Sequence, residues 1–190
     1  MVKFSIKDVD DNFYDKIIQY FKECYRFDLK QKMMFNQDLS YKLTSVNRYN
    51  PATGKTEEFP FPLAYDIRVI YHFVVNDYDV AEDIEESIYK VTKLIHTNPW
   101  TKKTYYDMTH DKFTNLRIGF LIYLAELKLR LLQGENFAAV ELGTMIGITG
   151  QGIVNRIKRG QLNAKKEGNS WVIKNKDAKR IVKEESIGLI

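Results

Sequence analysis

The stretch from Ala138 to Ile173 limits the possible folds more than any other part of the chain, because its punctuation leaves room only for short elements in a fixed order. Leu142, Ile146, Ile148, Ile153 and Ile157 are spaced to press two short helices together, one from about Ala138 to Ile146 and one from about Gly150 to Arg159. Gly147-Ile148-Thr149 makes a tight turn between them. Thr149 is suited to cap the second helix, since its hydroxyl can accept from a backbone N–H that has no partner in the first turn. Beyond that helix, Ala164 to Lys166 and Trp171 to Ile173 read as two strands around a turn at Gly168-Asn169-Ser170, where Gly168 supplies a positive φ. Asn175 or Asp177 can start a last helix running to about Glu184. Two helices across a tight turn, followed at once by a small hairpin, form the pattern of a helix-turn-helix with a wing.

Charge singles out the same region. Residues 1–135 hold 19 Lys and Arg against 20 Asp and Glu, a balance of −1, whereas residues 136–190 hold 10 against 5, a balance of +5. The basic excess therefore belongs to the C-terminal part, which suggests a module that meets a polyanion. Gly134 ends the long helix that precedes it, so the domain boundary is expected at 134–137, between a domain of residues 1–135 and one of residues 136–190.

The first domain reads as helical. Phe13, Ile17, Ile18, Phe21 and Tyr25 give an amphipathic helix that begins near Asp10 or Asp11. Turn formers in "NPATGK", Asn50 to Lys55, lie between two segments that can be extended, which predicts a β-hairpin arm. Leu63, Ile67, Ile70, Tyr71 and Val74 mark one further helix, and Ile84, Ile88, Val91 and Ile95 another. The segment 98–110 is irregular, and a helix then runs from about Asp111 to Gln133. On that helix Leu116, Phe120, Leu124, Leu127 and Leu131 form one apolar stripe, and Ile118, Ile122, Leu129 and Leu132 extend it nearly all round. Such a helix is either the centre of a bundle or is covered in part by a second subunit, and the second arrangement is the ground for expecting a homodimer. The expected fold is thus mainly α: a helical N-terminal domain with a β-hairpin arm, and a small C-terminal winged helix-turn-helix domain.

Taken together, Glu141, Ile146-Gly147-Ile148-Thr149, Ile153, Ile157-Lys158-Arg159-Gly160, Leu162, Ala164, Gly168, Trp171, Ile173 and Asp177 resemble the helix-turn-helix domain of the excisionase and MerR-like family. The resemblance extends from Ala138 to Val182 only. It implies double-stranded DNA as the partner, with the second helix in the major groove and the wing at the adjacent minor groove or backbone. On a helix that starts at Gly150, Ile153 and Ile157 face inward, leaving Gln151, Asn155, Arg156 and Arg159 as exposed candidates, with Thr149 at its cap. Gln and Asn can pair with adenine and Arg with guanine; Asn155 and Arg156 can equally meet phosphates. Lys165, Lys166 and Asn169 are the wing candidates, and the resemblance carries the groove or backbone role to Lys166 and Asn169. Trp171 is read as the packing anchor of the wing. Gly150 and Gly152 depart from the family, which has longer residues there, and each costs about 1 kcal/mol of helix stability against alanine. They either permit close approach of the DNA or mark a late helix start.

The remaining sequence argues against other classes. Cys24 is the only cysteine, which excludes an internal disulfide and fits a reducing cytoplasm. No signal-peptide pattern opens the chain, and Ile118 to Ala125 is too short an uncharged run to span a bilayer, so no membrane role is expected. His72, His96 and His110 share no metal-ligand spacing, a phosphate-binding glycine loop is missing, and "EDIEE" at Glu82 to Glu86 reads as a solvated helix start. Tyr65, Asp66, Arg68 and His72 are the one set that could line a pocket. Neither catalytic residues nor a cofactor or metal are therefore assigned. The leading expectation is a cytoplasmic, sequence-specific transcriptional regulator whose N-terminal domain dimerises, senses a small-molecule effector or holds a protein partner. The alternatives are an excisionase-like accessory factor for phage or plasmid DNA, a DNA-targeted enzyme with the N-terminal domain as catalyst, and an antitoxin-like module that sequesters a partner.

Overall fold

The computed structural model describes residues 12, 14–19, 22, 46–50, 54–59, 62–75, 81–97 and 118–186. They are mostly helical, with two small antiparallel sheets. The described residues divide into two compact units, one within Asp10–Ile122 and one within Tyr123–Ile190. Cys24, His110, the segment 98–110 that is expected to be irregular, and residues 51–53 and 111–117 lie outside the described residues.

In the first unit, α1 covers residues 14–19 and buries Ile17. Strands β1 (Val46–Asn50) and β2 (Lys55–Phe59) pair antiparallel from Val46↔Phe59 to Asn50↔Lys55, which is the expected hairpin. A two-stranded ribbon is marginal by itself. Its root is fixed by the buried Phe59, which meets Tyr65 edge-on at 5.4 Å between ring centroids, and by an ion pair between Glu57 and Arg68. Helix α2 (Pro62–Val75) starts on a proline, whose missing N–H costs nothing in the first turn. It buries Ala64, Ile67, Ile70, Tyr71 and Val74. Helix α3 (Ala81–Thr97) buries Ile84, Ser87 and Val91, which share one face. Asp66 is 7% exposed and accepts from the Ser87 hydroxyl at 3.1 Å, with the Lys90 ammonium 3.7 Å away. Burial pushes the Asp66 carboxyl up, and Lys90 opposes that shift. Tyr14 packs on Tyr71 at 5.0 Å, and burial raises its phenol to about 12.

Helix α4 (Ile118–Gln133) is apolar all round in its first two turns, Ile118 to Ala125, where all residues but the half-buried Tyr123 are buried, and Leu127 and Leu131 continue the buried side to its end. Ile118 and Ile122, two of the four residues on which a homodimer is expected, are fully buried within one chain, while Leu132 stays 44% exposed.

The second unit begins at Tyr123, ahead of the 134–137 boundary suggested by composition, because Leu127 and Leu131 of α4 belong to its core. After α4 come β3 (Phe137–Ala138), α5 (Ala139–Ile146), α6 (Gly150–Lys158), β4 (Lys165–Glu167), β5 (Ser170–Ile173) and α7 (Asn175–Ser186). The sheet order is β3-β5-β4, all antiparallel. Phe137, Leu142, Met145, Ile146, Ile153, Leu162, Ile173, Ala178 and Ile181 join the two leucines in one buried cluster, so every element of the unit except the exposed β4 contributes apolar side chains to it. Asn175 closes the layer from the other side. Its amide donates to the carbonyls of Leu131 at 2.8 Å and Glu135 at 3.0 Å, satisfying groups that the end of α4 leaves open.

Arg130 is a second tie. It donates to Glu135 at 2.7 Å and to Glu141 at 2.6 Å, lies 5.2 Å over the Phe137 ring, and is held firmly protonated by its hydrogen bonds to Glu141 and Glu135. In the sequence this arginine is only a charge that interrupts an apolar run; the partners that give it a role lie beyond the end of its own helix.

Candidate nucleic-acid interface

Helix α5 is preceded by its N-cap residue Ala138, whose N–H donates to the Glu141 carboxylate at 2.8 Å, and is closed by Gly147, where φ is 77°. The left-handed glycine lets the N–H of Ile148 return to the Gly143 carbonyl at 2.8 Å. The turn is this tight because Gly143 has no side chain: a β-carbon there would stand 2.8 Å from the Ile148 carbonyl oxygen. Thr149 then caps α6, its hydroxyl accepting from the N–H of Gly152 at 2.9 Å. Thr149 itself is exposed.

Helix α6 starts at Gly150, not later, and the glycine has a packing reason that neither reading of the sequence supplied. A β-carbon on Gly150 would meet Cγ2 of Val140, on α5, at 2.7 Å, whereas one on Gly152 would find only ordinary to tight contacts with Thr149 and Ile148. Ile153 is buried, and Val154 and Ile157 pack against the core. The opposite side of the helix carries Gln151, Asn155, Lys158 and Arg159, all exposed, at positions that recur along one face. Gln151 and Asn155 are brought together, with the Gln151 amide donating to Asn155 Oδ1 at 3.1 Å. Lys158 and Arg159 have no ion-pair partner among the described residues. Lys158 belongs to this stripe although sequence reasoning passed over it; its place one turn beyond Asn155 and two beyond Gln151 was the available signal.

Arg156 stands apart from the stripe. It is on the flank of α6, its side chain is 30% exposed, and Nη1 donates to Glu185 of α7 at 2.8 Å. Sequence reasoning had no means of finding Glu185, which is 29 residues away.

The β4–β5 hairpin turns at Gly168, with φ 58°, and Asn169. Lys166 pairs across the ladder with Trp171, so the two share a face of the sheet. Trp171 packs against the core, which makes it the anchor expected and places Lys166 on the side of the sheet that faces the helices. Lys165 lies on the other face and is 3.2 Å from Glu167. Lys166 and Asn169 are exposed, and Lys166 has no ion-pair partner among the described residues.

Of Tyr65, Asp66, Arg68 and His72, the set that could line a pocket, Asp66 faces Ser87 and Lys90 of α3, while Arg68 binds Glu57 and donates to His72 at 3.3 Å. Among the described residues no group of three or more His, Cys, Asp or Glu is placed to hold a metal ion, and no helix is long and apolar enough to cross a membrane. Comparison with protein-family models, with curated proteins and with solved structures returned no match.

Proposed function

We propose that the chain is a sequence-specific DNA-binding protein, acting as a transcriptional regulator through a winged helix-turn-helix formed by α5, α6 and the β4–β5 hairpin. The observation that carries this reading is the composition of the exposed face of α6. Two amides that can address base edges, Gln151 and Asn155, are followed by two cations without ion-pair partners, Lys158 and Arg159, on a helix capped and packed by α5. Amides can pair with adenine in the major groove, and cations beside them supply the sequence-independent attraction of the phosphates. Lys166 and Asn169, on the hairpin that follows, give a second contact to backbone or minor groove. A module this small makes few contacts, so two copies on neighbouring half-sites are the route to useful affinity, with the Asp10–Ile122 unit left for an effector or protein partner.

The test is selection of bound duplexes from a random library by the full chain, followed by footprinting. The proposal expects an enriched sequence of paired half-sites protected without cleavage. Failure to enrich any sequence would remove the specific reading, and cleavage of the selected duplex in divalent metal would replace the regulator by an enzyme.

A further inference from the structure

We infer that Glu185 is a positioning residue for Arg156 and that Arg156, so held, reads a guanine at the flank of the site. The inference rests on the DNA-binding reading above and deepens it by naming the base.

Arg156 is the one cation of α6 with an ion-pair partner: Lys158 and Arg159 point into solvent, whereas Arg156 Nη1 is 2.8 Å from Glu185 Oε1. The guanidinium is planar and carries five N–H groups in a fixed fork. A bond at Nη1 leaves the edge made by Nε and Nη2 uncommitted, since the Arg156 side chain makes no other hydrogen bond among the described residues. That edge presents two parallel donors, which match the adjacent O6 and N7 acceptors of guanine in the major groove. An arginine free in solution must surrender its rotamer freedom to make such a contact, and one already held by a carboxylate surrenders less. A phosphate can also accept two parallel donors, so the test separates the two acceptors.

Glu185 can be explored without touching the stripe of α6. Its side chain is 32% exposed and comes from α7, so the Glu185→Gln variant keeps the size and an acceptor oxygen, while Glu185→Ala removes both. The two variants remove the same charge. They therefore distinguish positioning from a general gain in affinity that follows when a carboxylate near DNA is neutralised.

The experiment begins with the duplex enriched by the wild-type full chain. Binding by fluorescence anisotropy is compared for wild type, Arg156→Lys, Glu185→Ala and Glu185→Gln, on that duplex and on copies carrying 7-deazaguanine at each guanine in turn; thermal melts confirm that each variant is folded. One guanine is expected at which 7-deaza substitution weakens wild-type binding roughly 5-fold to 100-fold, the range that one bidentate contact commands. Arg156→Lys and Glu185→Ala should lose sensitivity at that base alone, and Glu185→Gln should keep most of it. Equal loss of affinity on every duplex would assign Arg156 to a phosphate and overturn the inference while leaving DNA binding intact. Equal behaviour of Glu185→Ala and Glu185→Gln would reduce Glu185 to a through-space charge, also overturning it. If the wild-type chain enriches no duplex at all, the DNA-binding reading fails and the inference falls with it.

Discussion

A β-carbon on Gly150 would stand 2.7 Å from Cγ2 of Val140 and 3.1 Å from its Cα, so α6 begins with a glycine because the preceding helix passes directly over that residue. The turn between the helices is closed by packing as much as by its own φ angles. Gly150→Ala should therefore destabilise the chain although alanine is the better helix former: overpacking costs roughly 1–3 kcal/mol and propensity returns about 1 kcal/mol. Gly152→Ala, whose β-carbon would be 3.3 Å from the Thr149 hydroxyl, should be neutral or stabilising. Urea denaturation of the two variants checks the contrast, and equal stabilisation of both would contradict the close approach of Val140 to Gly150.

The cap makes a separate prediction. Thr149→Ala removes the acceptor that Gly152 uses at 2.9 Å and should cost roughly 0.5–2 kcal/mol of stability, while Thr149→Ser should cost little. Chemical denaturation at neutral pH reads both. If serine and alanine are equally damaging, the hydroxyl is not what holds the start of α6.

Asp66 gives a pH dependence of definite sign. Burial raises its carboxyl above the unfolded value, so the native state holds the proton more tightly; its contribution is most favourable below about pH 4 and is lost as pH rises through the raised folded value. Asp66→Asn keeps an acceptor for Ser87 and has no charge to bury. The variant should melt above wild type at pH 7, with the advantage shrinking as pH falls toward 4. A wild type that is the more stable at pH 7 would mean that Lys90, at 3.7 Å, outweighs the burial.

The packing of α4 bears on assembly. With Ile118 and Ile122 buried in one chain and Leu132 left as its exposed large apolar side chain, the free protein is expected to sediment as a monomer at micromolar concentration and to pair only on a duplex with two half-sites. A homodimer mass in the absence of DNA would contradict this.

The sequence carried the local structure of the C-terminal unit well and its long-range contacts poorly. Thr149, Gly147 and Gly168 were legible because capping and left-handed backbone are properties of a few consecutive residues. The faces of α5 and α6 were legible because Leu142, Ile146, Ile153 and Ile157 repeat at helical spacing. Strand β3 was not, since two residues, Phe137 and Ala138, are too few to show alternation. Nor were the contacts of Arg130, Arg156 and Gly150, whose partners are fixed only when separate elements pack. The same limit applies to Ile118 and Ile122: an apolar helix all round says that something covers it, and only the fold says whether that is the same chain.

If the exposed face of α6, with the hairpin beside it, meets the phosphates and bases of DNA, equilibrium binding of the full chain to duplex will depend on salt and on the cations of that face. Wild type should bind its selected duplex more tightly than a scrambled one, with the logarithm of the binding constant falling linearly against the logarithm of salt concentration. The Lys158→Ala/Arg159→Ala/Lys166→Ala variant should weaken binding to both duplexes and flatten that slope by roughly two to three, about 0.9 for each phosphate contact removed. A variant that binds as tightly and as steeply as wild type would contradict the account, because the affinity would then lie on a surface other than this one.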